Sequence, residues 1–410
     1  MQQTPIARRT LLGAGAAAAL PRRSHAAEKP IRIGVLSDMT GPYAANTGPG
    51  SVLGAQMAVE DFSRAHPGIK AELVQADFQL KPDVALAIAT DWFDNKGVDL
   101  ITDVPLSSAA FALSDLAKAK DKVAIFTGAA SADITGTRCG PNHLHWVHDT
   151  WSMSHGVVDA SIKEGADTWF FITADYAFGH SLQKDAAGFV TAAGGKVLGQ
   201  ALAPFPGTTD FSSFLVQAKA SGAKAIGLAN GGADTVNCIK QAAEFGIIKG
   251  GQRVAGLLFL IPDVHGLGLR QAQGVLLTEA FYWNMNDSTR EFSKRYATRF
   301  NGIVPGSGHA GQYAAVLHYL KAVAALGTEK GTTSGRAAVS QMKDMPTDDP
   351  LFGKGKVRTD GRVIHDMYLF EVKSPEQSKE SWDYYTLRRT IPAEEAFRPL
   401  NQGGCALAHS

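Results

Sequence analysis

The alternation of strand-like and helix-like segments is the feature that most constrains how this chain can fold. Short apolar runs at 31–36, 71–76, 98–104 and 123–126 are separated by segments whose apolar residues recur every three or four positions, as in 50–64. This alternation predicts βαβ units, and therefore parallel sheets with helices on both faces.

The same alternation restarts after a polar segment near residues 148–151. Four further strand patterns then alternate with helical ones, at 168–173, 196–201, 225–229 and 254–260. Two such runs predict an α/β protein with two doubly wound lobes. Beyond Gly274 the order is less regular, with helical patterns followed by two strand-like segments near the C-terminus.

The first 26 residues have the pattern of an export signal. Arg8 and Arg9 precede a short apolar core, and Ser24 and Ala26 occupy the positions that signal peptidase reads, which predicts cleavage after Ala26. The paired arginines before a weakly hydrophobic core favour the twin-arginine route, with ordinary Sec export as the alternative. No later stretch reaches the roughly 18 apolar residues of a membrane span. We therefore expect a periplasmic product.

Charge and cysteine content narrow the choice of partners. The formal net charge of the 410-residue chain is +1, without long runs of one sign, so no nucleic-acid partner is expected.

The cysteines are Cys139, Cys238 and Cys405, and no CxxC occurs. Because an oxidising compartment permits disulfides, we predict that loop residue Cys139 pairs with Cys405 of the tail. Cys238 lies in a helical pattern and is expected to be free and buried.

A glycine-rich loop follows the first strand. The letters GPGSVLG give G-x-G-x-x-x-G, and Asp77 closes the next strand, so a dinucleotide site is an alternative to consider. That fingerprint needs its glycines in the tight turn between strand and helix, whereas about ten residues intervene here. We favour a loop that faces a cleft.

Other sequence patterns suggest chemistry less strongly. His143, His145 and His148 in HLHWVHD allow a zinc site, but a histidine-rich connection between lobes is favoured. SxxK occurs at Ser181 and Ser340 without the motifs that accompany it in β-lactamases. Phosphate-loop and nucleophile-elbow motifs are absent from the sequence.

Serines follow two predicted strands. Ser107 and Ser108 open a helix after the third strand, and TGAAS, ending at Ser131, follows the fourth. Open α/β sheets bind ligands at the carboxyl ends of their strands, where helix N-termini favour anions. Simple capping serines without a ligand are the alternative.

A set of motifs follows one order along nearly the whole mature chain: SDMTGPYAANTG, GAQMAVEDF, LSSAAFALSDLA, FTGAAS, TADYAFGHSLQKDA, TTDFSSFLVQAKASGA and IKQAAEFG. In this order they resemble the branched-chain amino-acid-type periplasmic binding proteins of ABC transporters. FLIPDVHGLGL, LTEAFYW and GRVIHDMYLFEVKSP are similar to a proteobacterial branch that includes binders of aromatic carboxylates.

This resemblance implies a type I periplasmic binding protein, whose two lobes are joined by three crossovers and close on a ligand. We place the crossovers near 148–150, 278–281 and 352–364. Lobe 1 then comprises 27–148 and 282–352, lobe 2 comprises 149–281 and 353–390, and 391–410 form a C-terminal tail. The implied protein is a monomeric, non-enzymatic receptor without cofactor or metal. It delivers a small carboxylate to an inner-membrane ABC permease.

The resemblance also implies a set of ligand-binding residues. The carboxylate is expected at Ser107, the backbone of Ala129 and Ser131, with Thr47 on the opening loop. Tyr176 or Phe178 is expected to face it from the second lobe.

Two departures from amino-acid binders affect the expected ligand. Gly231 stands where those proteins have an aromatic residue, and Leu258 or Phe259 stands where they have the acid that pairs an ammonium group. Asp263 could be a displaced acid. We therefore expect an aromatic carboxylate, with Phe259 as one apolar wall of the site and with an amino acid as the alternative. An exported nucleotide-dependent oxidoreductase and a sensory ligand-binding module are the alternatives from other classes.

Overall fold

The computed structural model describes residues 1–2 and 29–409. The predicted signal peptide and its cleavage site after Ala26 lie outside the described residues, apart from the first two positions. None of the helices in the described part of the chain is both long and apolar enough to cross a membrane.

The first half of the chain builds a five-stranded parallel sheet with the order β2-β1-β3-β4-β5. Its strands are β1 (Ile31–Ser37), β2 (Ala71–Asp77), β3 (Leu100–Asp103), β4 (Val123–Phe126) and β5 (His143–His145). They alternate with α1 (Gly48–Ala65), α2 (Pro82–Asp94) and α3 (Ser107–Ala119). The strand order reverses between β1 and β3, and such a switch point places a crevice at the carboxyl ends of these strands.

The next segment builds a four-stranded parallel sheet with the order β7-β6-β8-β9. Its elements are α4 (Thr150–Lys163), β6 (Thr168–Ala174), α5 (Ala177–Ala192), β7 (Lys196–Ala203), α6 (Ser212–Ala220), β8 (Ala225–Ala229), α7 (Ala233–Glu244) and β9 (Arg253–Gly256). The two sheets thus repeat one strand order, which confirms the predicted fold of two doubly wound lobes.

The rest of the chain returns to both lobes. Its helices are α8 (Ile261–Leu267), α9 (Leu269–Ala272), α10 (Asp287–Arg299), α11 (Ser307–Leu326), α12 (Thr328–Thr333), α13 (Gly335–Asp344) and α14 (Ala393–Ala396). Its strands are β10 (Leu276–Glu279), β11 (Thr347–Asp349), β12 (Gly353–Val357), β13 (Val363–Ile364), β14 (Met367–Val372) and β15 (Tyr385–Ile391). Strands β10, β14 and β15 form an antiparallel sheet packed against α4.

Before the C-terminal tail, we place three passages of the chain between the lobes: between β5 and α4, between β10 and α10, and between β13 and β14. Helix α10 belongs with the first lobe because Arg299 pairs with Glu60 of α1. Strand β12 pairs with β11 on one side and with β13 on the other, and one bridge joins Arg362 to His145 of the first sheet. That the chain re-enters lobe 2 at residue 353 stays a prediction. The strand pairing favours a later boundary, between β13 and β14.

The glycines of GPGSVLG lie in α1, which packs along α11. A Cβ at Gly54 would lie 2.5 Å from the backbone oxygen of His309, and one at Gly50 would meet the His309 ring. Only glycine allows this close approach of the two helices. Helix packing therefore accounts for the spacing that suggested a dinucleotide fingerprint.

A buried arginine ties the crossovers together. The Arg362 guanidinium donates to the carbonyl oxygens of Trp146 and Val147, and it lies 3.6 Å from an Asp149 carboxylate oxygen. His365 contacts the same Val147 carbonyl at 2.8 Å. Two of the three crossovers are thus held together by polar contacts to main-chain carbonyls.

The C-terminal tail crosses from the second lobe back to the first. After β15, Arg398 donates to the Ala132 carbonyl at 2.8 Å, and Cys405 is joined by a disulfide to Cys139, with the Cα atoms 5.6 Å apart. Cys238 is a free, buried thiol.

Candidate ligand-binding site

A cavity lies between the lobes, at the carboxyl ends of the strands. It contains about 430 Å³ of space between protein atoms, part of it open to solvent. It is lined by Tyr43, Asn46, Thr47, Pro105, Ser107, Thr127, Gly128, Ala129, Ala130, His148, Tyr176, Phe178, Leu258, Leu260 and Gly308. This mainly apolar lining with a few polar groups is typical of small-molecule sites.

Five of the predicted site residues line this cavity together: Thr47, Ser107, Ala129, Tyr176 and Phe178. They come from both lobes and from four separate segments of the chain. The structure therefore brings the opening loop, the two carboxyl-end loops and the DYAFG segment to one place.

One end of the cavity is suited to a carboxylate. Ser107 begins α3, and its hydroxyl oxygen accepts the Ser131 N–H at 3.2 Å, which leaves the hydroxyl hydrogen free to donate. Within residues 29–409, the N–H groups of Ala129 and Ala130 make no hydrogen bond to a protein acceptor. The α3 N-terminus adds a partial positive charge, so an anion would meet several donors here.

A buried network supports this end from behind. The Asp103 carboxylate accepts a hydrogen bond from Ser37 at 2.6 Å and lies 3.2 Å from the Thr127 hydroxyl, whose single hydrogen lies between the acceptors Asp103 and Gln312. Burial raises the pKa of Asp103 to about 6, against the lowering effect of these hydroxyls. Asp103 and Val104 have positive φ, a strained backbone for such residues that often accompanies a functional site.

Ser131 lies just outside the cavity lining. Its hydroxyl accepts the Asp133 N–H at 3.3 Å and caps the short 3-10 turn Ala132–Thr135. Ser131 therefore shapes the loop that carries Ala129, and it presents its own N–H to Ser107.

Aromatic side chains close the cleft. The hydroxyl oxygens of Tyr43 in lobe 1 and Tyr176 in lobe 2 are 2.6 Å apart. Phe205 stacks on Tyr176 with ring centroids 4.5 Å apart and on Tyr43 with centroids 5.3 Å apart. Burial raises the pKa of both tyrosines, so both hydroxyls stay protonated at neutral pH.

Main-chain contacts also join the lobes. Ala233 donates its N–H to the Pro42 carbonyl at 3.1 Å. Gly232 has φ 58°, and a Cβ there would lie 2.3 Å from the Pro42 oxygen. The two lobes are therefore in contact through the loop that carries Pro42 and Tyr43, in a closed arrangement.

Gly231 and Phe259 are not among the lining residues. The space beside Gly231 is occupied by Leu258, whose Cδ2 would lie 2.8 Å from a Cβ at Gly231. The predicted strand 254–260 ends at Gly256, and the chain turns there toward α8. This turn places Leu258 in the cavity wall and buries Phe259 in the core of the second lobe.

Asp263 does not line the cavity either. Its Oδ1 accepts from Asn46 Nδ2 at 2.9 Å, and its Oδ2 accepts the Leu260 N–H at 2.9 Å. Burial raises the pKa of this carboxyl to about 6, partly offset by these two hydrogen bonds. Asp263 thus lies behind the cavity wall, hydrogen-bonded to the lining residues Asn46 and Leu260.

His148 adds a polar group that the sequence analysis placed in a connecting segment. It is buried, and its Nδ1 has no hydrogen-bond partner among the described residues. Burial, reinforced by the charge of Arg362, lowers the pKa of His148 to about 3, so the imidazole is neutral. Tyr43, Asn46 and His148 are the polar lining residues that the sequence reasoning missed.

The other histidines of HLHWVHD make structural contacts. His143 and His145 each contact a main-chain carbonyl, those of Ile134 and Ala129. In the described part of the chain, metal-ligating side chains do not gather in groups of three or more.

Two doubly wound lobes that close on a cavity at the carboxyl ends of their strands define a type I periplasmic binding protein. Residues 30–379 match the family of periplasmic binding proteins, and the chain belongs to that family. A comparison with curated proteins finds no significant match.

Solved structures agree with this assignment. A periplasmic binding protein from Burkholderia mallei is 44% identical, with a TM-score of 0.88, over 92% of this chain and 99% of its own. A branched chain amino acid ABC transporter periplasmic ligand-binding protein from Burkholderia xenovorans is 42% identical, with a TM-score of 0.80, over 92% and 100% of the two chains.

A more distant structure shares the fold. It is a solute binding protein of an ABC transporter from Rhodopseudomonas palustris, in complex with 3,4-dihydroxybenzoic acid. It is 23% identical, with a TM-score of 0.75, over 89% of this chain and 98% of its own.

Proposed function

We propose that this protein is an extracytoplasmic receptor that binds a small aromatic carboxylate between its lobes and delivers it to an ABC permease. The observation that carries the proposal is the composition of the cavity. Free donors around Ser107 and Ala129 occupy one end, and the rings of Tyr43, Tyr176 and Phe178 provide apolar walls.

The lining disfavours an α-amino acid. Among the described residues that line the cavity, none is an Asp or a Glu, and Leu258 and Leu260 line it from the second lobe. An ammonium group buried without a carboxylate to pair its charge costs several kcal/mol, enough to offset much of a small ligand's affinity. A flat ring instead gains from contact with aromatic walls. The aromatic acid bound by the Rhodopseudomonas palustris protein of the same fold supports this choice.

A branched-chain amino acid is the second candidate. The 42% identical Burkholderia xenovorans protein is described as a branched chain amino acid binding protein, and that description favours it. Binding of an amino acid requires the Asp263 carboxylate to give up its hydrogen bond from Asn46 and to pair with the ligand's ammonium group.

Calorimetric titration separates the two candidates. Protein freed of co-purified ligand is titrated with benzoate, 4-hydroxybenzoate, cinnamate, leucine and valine. We expect tighter binding of at least one aromatic acid than of either amino acid. Binding of leucine without binding of any aromatic acid would contradict the proposal.

A variant pair then locates the site. Ser107→Ala removes a lining hydroxyl and should weaken binding of the aromatic acid. Ser108→Ala, the neighbouring serine outside the cavity lining, serves as the matched control and should bind as the wild type does.

The proposed setting completes the function. We infer a monomer in the periplasm that catalyses no reaction and hands its ligand to an inner-membrane permease. Native mass spectrometry of the exported protein tests both the monomeric state and the identity of the ligand. An absorbance spectrum with a bound nucleotide cofactor would instead favour the oxidoreductase alternative.

A further inference from the structure

One side-chain oxygen in the cavity wall has no partner. Asn46 lies on the loop after β1, lines the cavity, and is 5% exposed. Its Nδ2 donates to Asp263, whereas its Oδ1 is buried without a hydrogen-bond partner among the described residues. A buried amide oxygen left unpaired is costly, so the site is incomplete in this respect.

Asp263 determines which polar atom of the Asn46 amide has no hydrogen-bond partner. Both Asp263 oxygens act as acceptors, one toward Asn46 and the other toward the Leu260 N–H. A flipped Asn46 amide would put two oxygens face to face, so the amide nitrogen points to Asp263. The acceptor Oδ1 is therefore the atom that remains for a ligand.

The other polar side chains of the cavity are largely occupied. Tyr43 and Tyr176 share a hydrogen bond, Thr47 donates to the Tyr43 carbonyl, and the single Thr127 hydroxyl hydrogen lies between the acceptors Asp103 and Gln312. His148 also lines the cavity, and its Nδ1 is likewise buried without a hydrogen-bond partner among the described residues. A ligand with only a carboxylate would leave the Asn46 acceptor unpaired.

We propose that the ligand carries an O–H donor at a distance from its carboxylate, that Asn46 Oδ1 accepts it, and that Asp263 is the positioning residue for Asn46. The proposal rests on the proposed function and specifies it, since the substrate class becomes hydroxylated aromatic carboxylates. The Asn46–Asp263 bond joins the two lobes, so the acceptor is oriented only when the cleft is closed. Recognition of the hydroxyl and closure of the lobes are thereby coupled.

The test uses matched ligands. Wild-type protein is titrated calorimetrically with benzoate, with 3- and 4-hydroxybenzoate, and with the methyl ether of each. A methyl ether keeps the oxygen but lacks the donor. We expect one hydroxy acid to bind about 10-fold or more tighter than benzoate and than its own ether, in line with one well-placed hydrogen bond in a buried site.

Variants then assign the acceptor. In Asn46→Leu the preference for the hydroxy acid should fall to about threefold or less, while benzoate still binds. In Asp263→Asn the preference should also fall, because Asn46 can then turn its amide. The ratio of affinities is the readout, since general damage to the fold lowers both affinities together. Asn95→Leu removes an exposed amide–carboxylate pair with Asp91 outside the cavity and serves as the control.

Each outcome decides a separate point. If no aromatic carboxylate binds, the proposed function fails. If benzoate, hydroxy acid and ether bind equally to the wild type, the hydroxyl inference alone fails. A preference that survives unchanged in Asn46→Leu assigns the hydroxyl to another group and overturns the role of Asn46. Because the ether comparison uses wild-type protein, it holds even if a variant does not fold.

Discussion

The hydroxyl oxygens of Tyr43 and Tyr176 lie 2.6 Å apart and join the two lobes directly above the cavity. Each ring also lines the cavity, so the contact that closes the cleft is made by residues of the proposed site. Closure and ligand contact are therefore properties of the same side chains, and mutations here should affect both.

Removing either hydroxyl should weaken ligand binding without unfolding the protein. Tyr43→Phe and Tyr176→Phe should each cost about 0.5–1.5 kcal/mol, roughly 2- to 13-fold in affinity, as for a typical net hydrogen bond. The double variant should be little worse than either single one, because both remove the same bond. Tyr319→Phe, in the first-lobe core, is the control. Fully additive losses in calorimetry would show that the hydroxyls act separately.

Substitutions of the two serines predicted to bind the carboxylate should have different effects. Ser107→Ala removes a donor to a charged group and should cost about 1.5–3 kcal/mol of binding free energy. Ser131→Ala loses a cap of a short turn, at about 1 kcal/mol, and should mainly lower stability. Titration and thermal unfolding of both variants check this order. A larger binding loss in Ser131→Ala would place that hydroxyl on the ligand.

Gly232→Ala should block closure. A Cβ at this position would lie 2.3 Å from the Pro42 carbonyl oxygen of the other lobe. Small-angle scattering should show a more open molecule that does not compact with ligand, together with weaker binding. Gly194→Ala also places alanine at a positive φ, but nothing lies near its Cβ, so its closure should be unaffected. Normal compaction of Gly232→Ala would contradict this account.

Ligand binding at about pH 5–6 should take up protons. Burial raises the pKa of Asp263 to about 6 in the closed form, and an open cleft should let it fall toward the ordinary value near 3.8. Protons then bind the closed form more tightly, so affinity should rise as pH falls through about 6 and level off below the open-form pKa. Calorimetry in buffers of different ionisation enthalpy measures the uptake. If proton uptake persists in Asp263→Asn, the proton binds a group other than Asp263.

Loss of the disulfide should destabilise the protein. The double variant Cys139→Ser, Cys405→Ser should lower the free energy of unfolding by about 2–5 kcal/mol, since the bond closes a long loop. Denaturant unfolding with and without reductant measures this. Reductant should have no further effect on the double variant, because Cys238 is unpaired.

The sequence was sufficient to predict the lobes because their strands are apolar runs bounded by helical patterns. The carboxyl-end loops after β3 and β4 were also predictable, since parallel strands bring those ends together. Ser107 and Ala129 line the cavity for this reason.

Other parts of the site depend on contacts that periodicity does not encode. The turn after Gly256 puts Leu258 in the cavity wall in place of the expected Phe259, because the strand ends early and α8 begins with a proline in its first turn. Asn46 and Tyr43 find their partners 217 and 133 residues away, in the other lobe. No local pattern in the loop marks either pairing.

The disulfide between Cys139 and Cys405 turns most of the chain into a covalent ring. The two cysteines are 266 positions apart, and α4 to β15, which include the whole second lobe, lie between them. A single protease cut in any loop of that ring would leave both fragments attached until the bond is reduced. The second lobe thus stays covalently attached to the first after such a cut, and its release needs both a cut and a reductant.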